Sequence, residues 1–358
     1  MIRKFQPRLV ALAIFASLCL SSASDARPDV KLLEVERAEC SRLDRELFQG
    51  MGNVLSVTDV RALLEKLEKT ELLIAKCYSP EEAVYRSKLT SLMREDFKAI
   101  IAMPDDDQRR TFEAIRSSRY AIQDFRSGKK QDSIRDIGKV RMEFKQLLGE
   151  RSFYYMSTLD NELYGLIELN AGEKAVPLAE HLLSLRLDHV GKNYITTGNA
   201  YEMAAKAEYL NKRWAKASEY ALTAIGIKQA MKLPPAECYA VEQLLISIKT
   251  EMGDLKDARF LLAIFKDARS DVIKSNAFAR AETHYELSRI EEKAGKDAEA
   301  YDAEVQGLKT LLEILPRSDP RILGAVNHLR ANLIRQKKWA SVSVLEKEWG
   351  LTPNRIKE

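Results

Sequence analysis

The sequence predicts an all-α protein, a right-handed α-solenoid or superhelix of stacked antiparallel helix pairs. Ala, Leu, Glu, Lys and Arg dominate the 358 residues, whereas only ten are proline, and this mixture is typical of helices. Apolar residues recur with the 3.6-residue helical period over most of the chain. One sequence position also recurs every 41 or 42 residues, which indicates a repeat architecture.

The first 26 residues have the pattern of a cleaved secretory signal peptide. Positive charges precede an apolar run from Leu9 to Leu20, and small residues then offer cleavage after Ala23 or Ala26. The run is shorter than the roughly 20 residues that span a bilayer, so a retained anchor is the weaker alternative. Leu18 stands where a lipoprotein would have a small residue before Cys19. We therefore expect a periplasmic or secreted protein without stable membrane insertion.

Residues 27–112 are predicted to be helical but lie outside the repeat frame. Residues 30–49 and 57–77 have apolar faces with helical periodicity, and glycines between them indicate a turn. The sequence S-P-E-E at residues 79–82 combines a serine cap, a first-turn proline and a glutamate three positions after the cap. This region is either a set of degenerate repeats or an N-terminal cap with a polar outer face.

Signal cleavage would leave Cys40, Cys77 and Cys238, enough for one disulfide in an oxidising compartment. Cys40 with Cys77 is the candidate pair. A helical hairpin turning at residues 50–52 would offset the two cysteines along the helix axis by about 15 Å. A disulfide requires Cα atoms within about 7 Å, so the pairing stays open.

The recurring position lies five residues after a turn, near the start of a second helix. Where two antiparallel helices cross closely after a turn, a small side chain lets the backbones approach. Trp214 and Trp339 stand three residues before the third and sixth members, inside the similar heptapeptides K-R-W-A-K-A-S and K-K-W-A-S-V-S, and we expect both to pack the turn onto the first helix. The six members are Ser133, Ala175, Ala217, Ala258, Ala300 and Val342.

Each repeat resolves into two helical stretches. In the fifth repeat, Gly295 supplies the turn, and Pro316 ends the second helix because proline lacks a backbone donor and opposes the helical conformation before it. The apolar face of that second helix recurs at steps of four, three, four and three residues, at Tyr301, Val305, Leu308, Leu312 and Leu315.

The third repeat, with Ala205, Trp214, Ala217 and Ala224, resembles the tetratricopeptide (TPR) motif of small, aromatic and alanine positions. The resemblance covers residues 113–350, about six units, and leaves 351–358 as a C-terminal tail. Its 42-residue period exceeds the usual 34 and is similar to the long repeats of kinesin light chains and of exported bacterial proteins. In the second unit, Gly172 suggests a turn two residues short. A HEAT or armadillo array has a comparable period but lacks this spacing.

The sequence contains no motif that indicates catalysis. Its four histidines form no H-E-x-x-H motif, its cysteines have no C-x-x-C spacing, and neither a nucleophile elbow nor a phosphate-binding loop occurs. We therefore expect no metal, no cofactor and no enzymatic activity. Signal cleavage lowers the net charge from +4 to +2, which argues against a general nucleic-acid-binding surface.

The resemblance implies that the first helices of the pairs line a concave groove that binds a protein or peptide partner. For any one of these positions, an ordinary solvated helix face is the alternative. A sensory domain that binds a small ligand and signals through a membrane partner, an enzyme hidden in 27–112, and self-association through the repeat ends also stay open. The candidate groove residues are Asn199, Glu202, Lys206, Tyr209, Gln243, Ser247, Thr250, Tyr285, Arg289, Glu292, Asn327 and Arg330.

Overall fold

The computed structural model describes residues 42–351, apart from residues 44, 48, 78, 79, 232 and 234. Over this part of the chain the regular structure is entirely helical. A short helical stretch and a turn at residues 52–53 precede fifteen helices. These are α1 (Val57–Cys77), α2 (Pro80–Ala102), α3 (Asp105–Arg126), α4 (Lys130–Leu148), α5 (Phe153–Glu168), α6 (Gly172–His189), α7 (Ile195–Leu210), α8 (Trp214–Ala230), α9 (Pro235–Met252), α10 (Leu255–Ala268), α11 (Ser270–Ser275), α12 (Ala277–Lys293), α13 (Asp297–Leu312), α14 (Pro320–Arg335) and α15 (Trp339–Trp349).

The chain divides into two compact units, Met1–Leu233 and Pro234–Glu358. In the first unit, α1 pairs with α2, α3 with α4, α5 with α6 and α7 with α8. In the second unit, α9 pairs with α10, α12 with α13 and α14 with α15, and the short α11 is an additional helix that the periodicity did not predict. The predicted all-α solenoid of antiparallel helix pairs is confirmed. None of the helices described is long and apolar enough to span a membrane.

The six recurring residues occupy equivalent places in six helix pairs. Each is the fourth residue of the second helix of its pair, and each is at most 4% exposed. Each amide also donates the same hydrogen bond, at 2.9–3.1 Å, to the carbonyl four residues earlier; Ala217 bonds to Arg213 and Ala300 to Lys296. The recurrence therefore marks a buried crossing between two helices, where space for a side chain is limited.

A residue with positive φ lies five positions before each of these crossings. Its amide bonds to the carbonyl three residues back, and the next amide reaches five residues back, as in Lys212 to Tyr209 and Arg213 to Glu208. This is the Schellman ending of a helix, which requires the left-handed conformation. At these six turns the positive-φ residues are Gly128, Asn170, Lys212, Gly253, Gly295 and Lys337.

The short turn expected in the second unit is wrong. Asn170 takes the left-handed position with φ of 56°, so the turn keeps the spacing of the other units. Gly172 has a different role, because a Cβ built on it would lie 2.9 Å from Leu210 Cβ and 3.0 Å from Asn211 N. Its missing side chain therefore allows close approach of the next pair's turn rather than forming its own.

The N-terminal region contains the helix start that its capping sequence predicts, since α2 begins at Pro80. The expected limit between residues 112 and 113 falls inside α3, which begins at Asp105. The C-terminal tail from residue 352 onward and Cys40 of the candidate disulfide lie outside the described residues. Residue Leu315, expected to be the last helical residue of α13, lies in the turn that follows Leu312.

Candidate functional site

The four candidate groove residues of the first unit lie on α7, and all are partly exposed. Tyr209 packs on Trp214 across the turn, with ring centroids 5.2 Å apart, whereas Trp339 at the equivalent position in the sixth pair is 46% exposed. Glu202 accepts hydrogen bonds from Lys206 at 2.5 Å and from Lys228 of α8 at 2.6 Å. Asn199 is the remaining candidate on this helix.

The charge of Glu202 is neutralised inside its own helix pair. Burial of the carboxyl raises its pKa, but the ammonium charges of Lys206 and Lys228 outweigh burial and lower the pKa to about 2. The Lys228 side chain is only 3% exposed, so this contact is shielded from solvent. Glu202 is therefore held as a carboxylate that joins α7 to α8.

The same pairing recurs in the neighbouring repeats. Asp160 accepts from Arg186 at 2.7 Å, and Glu242 accepts from Arg269 at 2.8 and 2.5 Å. Each acid is the eighth residue of the first helix, and each base lies eleven residues after the recurring small residue. Burial raises the pKa of Asp160 even beside the Arg186 guanidinium, because one cation faces it where two face Glu202. These acid–base pairs were not predicted.

In the second unit, the structure brings together Gln243, Ser247 and Arg289. Gln243 Nε2 donates to Glu282 at 3.3 Å, and Ser247 Oγ donates to Glu286 at 3.1 Å. These bonds join α9 to α12, the first helices of two successive pairs. They place three of the predicted residues on one polar surface, although Gln243 and Ser247 are themselves buried, at 5% and 8% exposed, so that Arg289 alone of the three is open to solvent.

Arg289 is the centre of this surface. Its guanidinium donates to Ser247 Oγ at 3.1 Å, to Glu286 at 3.1 Å and to Glu251 at 3.0 Å. Lys293, one turn further along α12, lies 3.0 Å from Glu251. The side chains of Arg289 and Lys293 are 34% and 48% exposed, so solvent reaches these cations. We call this surface the α9–α12 polar row; its members are Gln243, Ser247, Glu251, Glu282, Glu286, Arg289 and Lys293.

The acidic half of the polar row was not predicted from the sequence. Glu282, Glu286, Arg289 and Lys293 follow one another at steps of four, three and four residues, which places them on one face of a helix. That stripe was visible in the sequence, although its contacts with α9 were not.

Other predicted residues of the second unit lie elsewhere. The side chain of Thr250 is fully buried and bonds to the Ile246 carbonyl at 2.9 Å. Tyr285 is 4% exposed, and its ring lies against Gly307 of α13, where a Cβ would stand 2.9 Å from the ring. Neither side chain is accessible to a partner in this conformation.

The three remaining candidates either lie on α14 or pair with a residue of α14. Exposed Glu292 pairs with Arg335 at 2.8 Å, and Arg330 Nε donates to Glu346 of α15 at 2.7 Å. Asn327 is exposed on α14. These side chains do not belong to the α9–α12 polar row.

A chain of polar groups in the first unit is the nearest approach to a catalytic arrangement. Tyr155 OH lies 3.1 Å from His181 Nε2 and accepts from Arg141 at 3.4 Å, while Arg141 also donates to Glu162 at 2.6 Å. However, Tyr155 is only 1% exposed, so a substrate cannot reach its hydroxyl. Across residues 42–351 as described, no group of three or more His, Cys, Asp or Glu side chains is placed to hold a metal ion.

The comparison with solved structures shows the fold. Aspartyl phosphate phosphatase F from Bacillus subtilis superimposes with a TM-score of 0.51 at 8% identity, over 94% of this chain and 100% of that chain. The chain shares the all-α helical-repeat fold of that protein, and the TPR-like repeats expected from the sequence are consistent with it. A kinesin light chain protein of Podosopora anserina with nearly identical TPR-like repeats gives a TM-score of 0.49 at 16% identity, over 59% of this chain and 98% of that chain. No sequence family and no curated protein matches the chain.

Proposed function

We propose that this protein is a non-enzymatic, exported scaffold that binds a protein or peptide partner through the first helices of its repeats. Export is inferred from the signal-like residues 1–26. In the second unit, the α9–α12 polar row is the surface that we assign to partner binding. The described residues include no accessible catalytic arrangement. Helical-repeat proteins act by binding partners on surfaces of this kind.

The observation that carries the assignment is the partial exposure of Arg289 and Lys293 beside carboxylates of two repeats. Each cation contacts Glu251 from across the repeat boundary and keeps a solvent-facing side. A partner carboxylate or backbone carbonyl can bond to the solvent-facing side of these cations while the part-buried bond from Arg289 to Ser247 stays in place. Exposed ion pairs contribute at most about 1 kcal/mol, so Lys293, whose side chain is 48% exposed, can exchange Glu251 for a partner carboxylate at little cost in free energy.

The test is affinity capture from an envelope extract of the source cell, with quantitative mass spectrometry. We expect Arg289→Ala combined with Lys293→Ala to reduce the recovered partner at least tenfold. Arg280→Ala is the matched control, because Arg280 lies on the same helix but pairs with Glu313 at 2.9 Å, outside the polar row. Unchanged melting temperatures would show that all variants fold.

Retention of the partner by the double variant would move the binding surface away from the α9–α12 polar row. A sensory domain for a small ligand predicts a different result. In that case a library of small molecules would raise the melting temperature of the wild-type protein, since a ligand that binds only the folded state stabilises it. No protein partner would then depend on Arg289.

A further inference from the structure

Helix α2 runs past the beginnings of three successive first helices. At its C-terminal end, Gln108 in the first turn of α3 donates to the carbonyls of Ile101 and Met103 at 3.3 and 3.0 Å. Two turns before that end, the Asp96 carboxylate accepts from the Tyr154 amide of α5 at 3.2 Å. Toward its N-terminus, Lys88 donates to the Val190 carbonyl, just before α7, at 3.0 Å.

These contacts join parts of the chain that are far apart in sequence. Asp96 and Tyr154 are 58 residues apart, and Lys88 and Val190 are 102 residues apart. The eight residues from Lys88 to Asp96 span about 12 Å along a helix. The Lys88 ammonium also lies 5.4 Å from the ring centroid of Tyr194, the N-cap residue of α7. Helix α2 therefore ties α5 and α7 together at their N-terminal ends.

Asp96 completes the capping of α5. The first amides of a helix have no partner within the helix and need outside acceptors. The N-cap Ser152 supplies one, since its hydroxyl accepts from the Tyr155 amide at 2.9 Å, and Asp96 supplies another for Tyr154. The cap of α5 is thus divided between its own chain segment and α2.

Asp96 is 4% exposed, and burial raises the pKa of its carboxyl to about 7. The amides of Tyr154 and Phe153 and the Ser152 hydroxyl favour the carboxylate, but they do not outweigh burial. On α2 itself, exposed Glu95 adds to the rise, and Arg94 is committed to Glu71 of α1. From α5 and α4, the groups beside the carboxyl are the Tyr154 phenol and the Phe144 ring stacked on it.

We propose that α2 is a strap across the N-terminal ends of α5 and α7, and that the strap tightens when the Asp96 carboxyl takes up a proton. Opening the strap would expose Asp96 to water, where its pKa returns toward 3.8. The closed state then holds the proton more strongly than the open state. Acidification from pH 7 toward pH 5 therefore favours closure, and the effect levels off above pH 7.

Hydrogen exchange at the first turn of α5 tests this directly. In the wild-type protein, after correction for the intrinsic rate, we expect opening to increase by up to tenfold per pH unit between pH 5 and pH 7. The first turn of α14 is an internal control. Asp319 caps it by accepting from the Arg321 amide at 2.9 Å, but the Arg321 guanidinium lowers the pKa of Asp319 to about 2, so this turn should show no such dependence.

Two variants distinguish the protonation of Asp96 from a general effect of removing a charge from α2. Asp96→Asn should abolish the pH dependence at α5, whereas Glu95→Gln, an exposed neighbour with the same change of charge, should retain it. A flat profile at α5 of the wild-type protein would overturn the proposal, and so would persistence of the dependence in Asp96→Asn. If Asp96→Asn fails to fold, the comparison of α5 with α14 within the wild-type protein still decides.

Discussion

Replacing Lys228 by methionine tests the internal ion pairs most sharply. Methionine keeps most of the side-chain volume but removes the ammonium that lies 2.6 Å from Glu202. The Lys228 and Glu202 side chains are 3% and 12% exposed, so water cannot replace the lost contact. Breaking a buried pair by removing one partner typically costs about 3–5 kcal/mol.

The pKa of Glu202 supplies an independent magnitude. The two lysines hold it at about 2, compared with 4.5 for an ordinary glutamate. Each pKa unit corresponds to about 1.4 kcal/mol, so the folded state favours the carboxylate by about 3 kcal/mol. In Lys228→Met, only the Lys206 ammonium would oppose the effect of burial on the pKa of Glu202. The folded state would therefore lose most of its preference for the carboxylate. We expect a loss of about 3 kcal/mol, or roughly 6–12 °C in melting temperature.

Urea unfolding followed by circular dichroism, at pH 7 and at pH 3, measures the effect. Because the folded pKa of Glu202 is depressed, its stabilisation is complete above about pH 5 and disappears as the pH falls from 4.5 toward 2. The difference between wild type and Lys228→Met should therefore shrink at pH 3. Adding Glu202→Gln removes the buried carboxylate that Lys206 alone then faces, and should restore part of the stability. A loss below 1 kcal/mol at pH 7, or one independent of pH, would refute the reasoning.

Three further predictions concern stability. Lys212→Gly should raise the melting temperature by the equivalent of about 0.5–1 kcal/mol, because Lys212 has φ of 61°, whereas Arg213→Gly at φ of −90° should lower it. Ala258→Leu should lower the free energy of unfolding by about 1–3 kcal/mol or more, because it overpacks a fully buried helix crossing. Ala263→Leu, on the exposed side of the same helix, should be nearly neutral. Comparable melting temperatures for the two variants would contradict this. Asp96→Asn should stabilise the protein at pH 8 but have little effect at pH 4, because ionisation of Asp96 opposes folding above its ordinary pKa. Equal shifts at both pH values would contradict that expectation.

The repeats could be predicted from the sequence because they depend on residues that lie close together along the chain. A small residue near the start of a second helix and a glycine at a turn recur visibly, as at Ala300 and Gly295. The turns at Asn170, Lys212 and Lys337 were harder to see, since these residues adopt positive φ only because the Schellman bonds of the flanking helices hold them there. Sequence spacing alone cannot show that a lysine will accept this conformation.

The candidate site was harder to predict from sequence, because the residues of a helix face do not show which other helix packs beside it. The stripe on α12 marks one polar surface, but only the structure shows that Ser247 and Glu251 of α9 complete it. Glu202 had been assigned to an open groove from its position on the first helix, and its commitment to Lys228 depends on the packing of α8. The strap formed by α2 was invisible because its contacts follow no repeat period.

Two classes of charged contact remain distinct in this fold, and their exposure separates their roles. The equivalent acid–base pairs of three repeats lie 26 or 27 residues apart, and their cations are shielded; the Lys228 and Arg269 side chains are 3% and 13% exposed. Contacts between α9 and α12, the first helices of two successive pairs, lie 38, 39 or 42 residues apart, and their cation Arg289 is 34% exposed. Removing a shielded partner leaves a buried charge, whereas an exposed one can exchange its partner with little loss. Shielded pairs therefore maintain each helix pair, and the exposed contacts are the ones available to a bound chain.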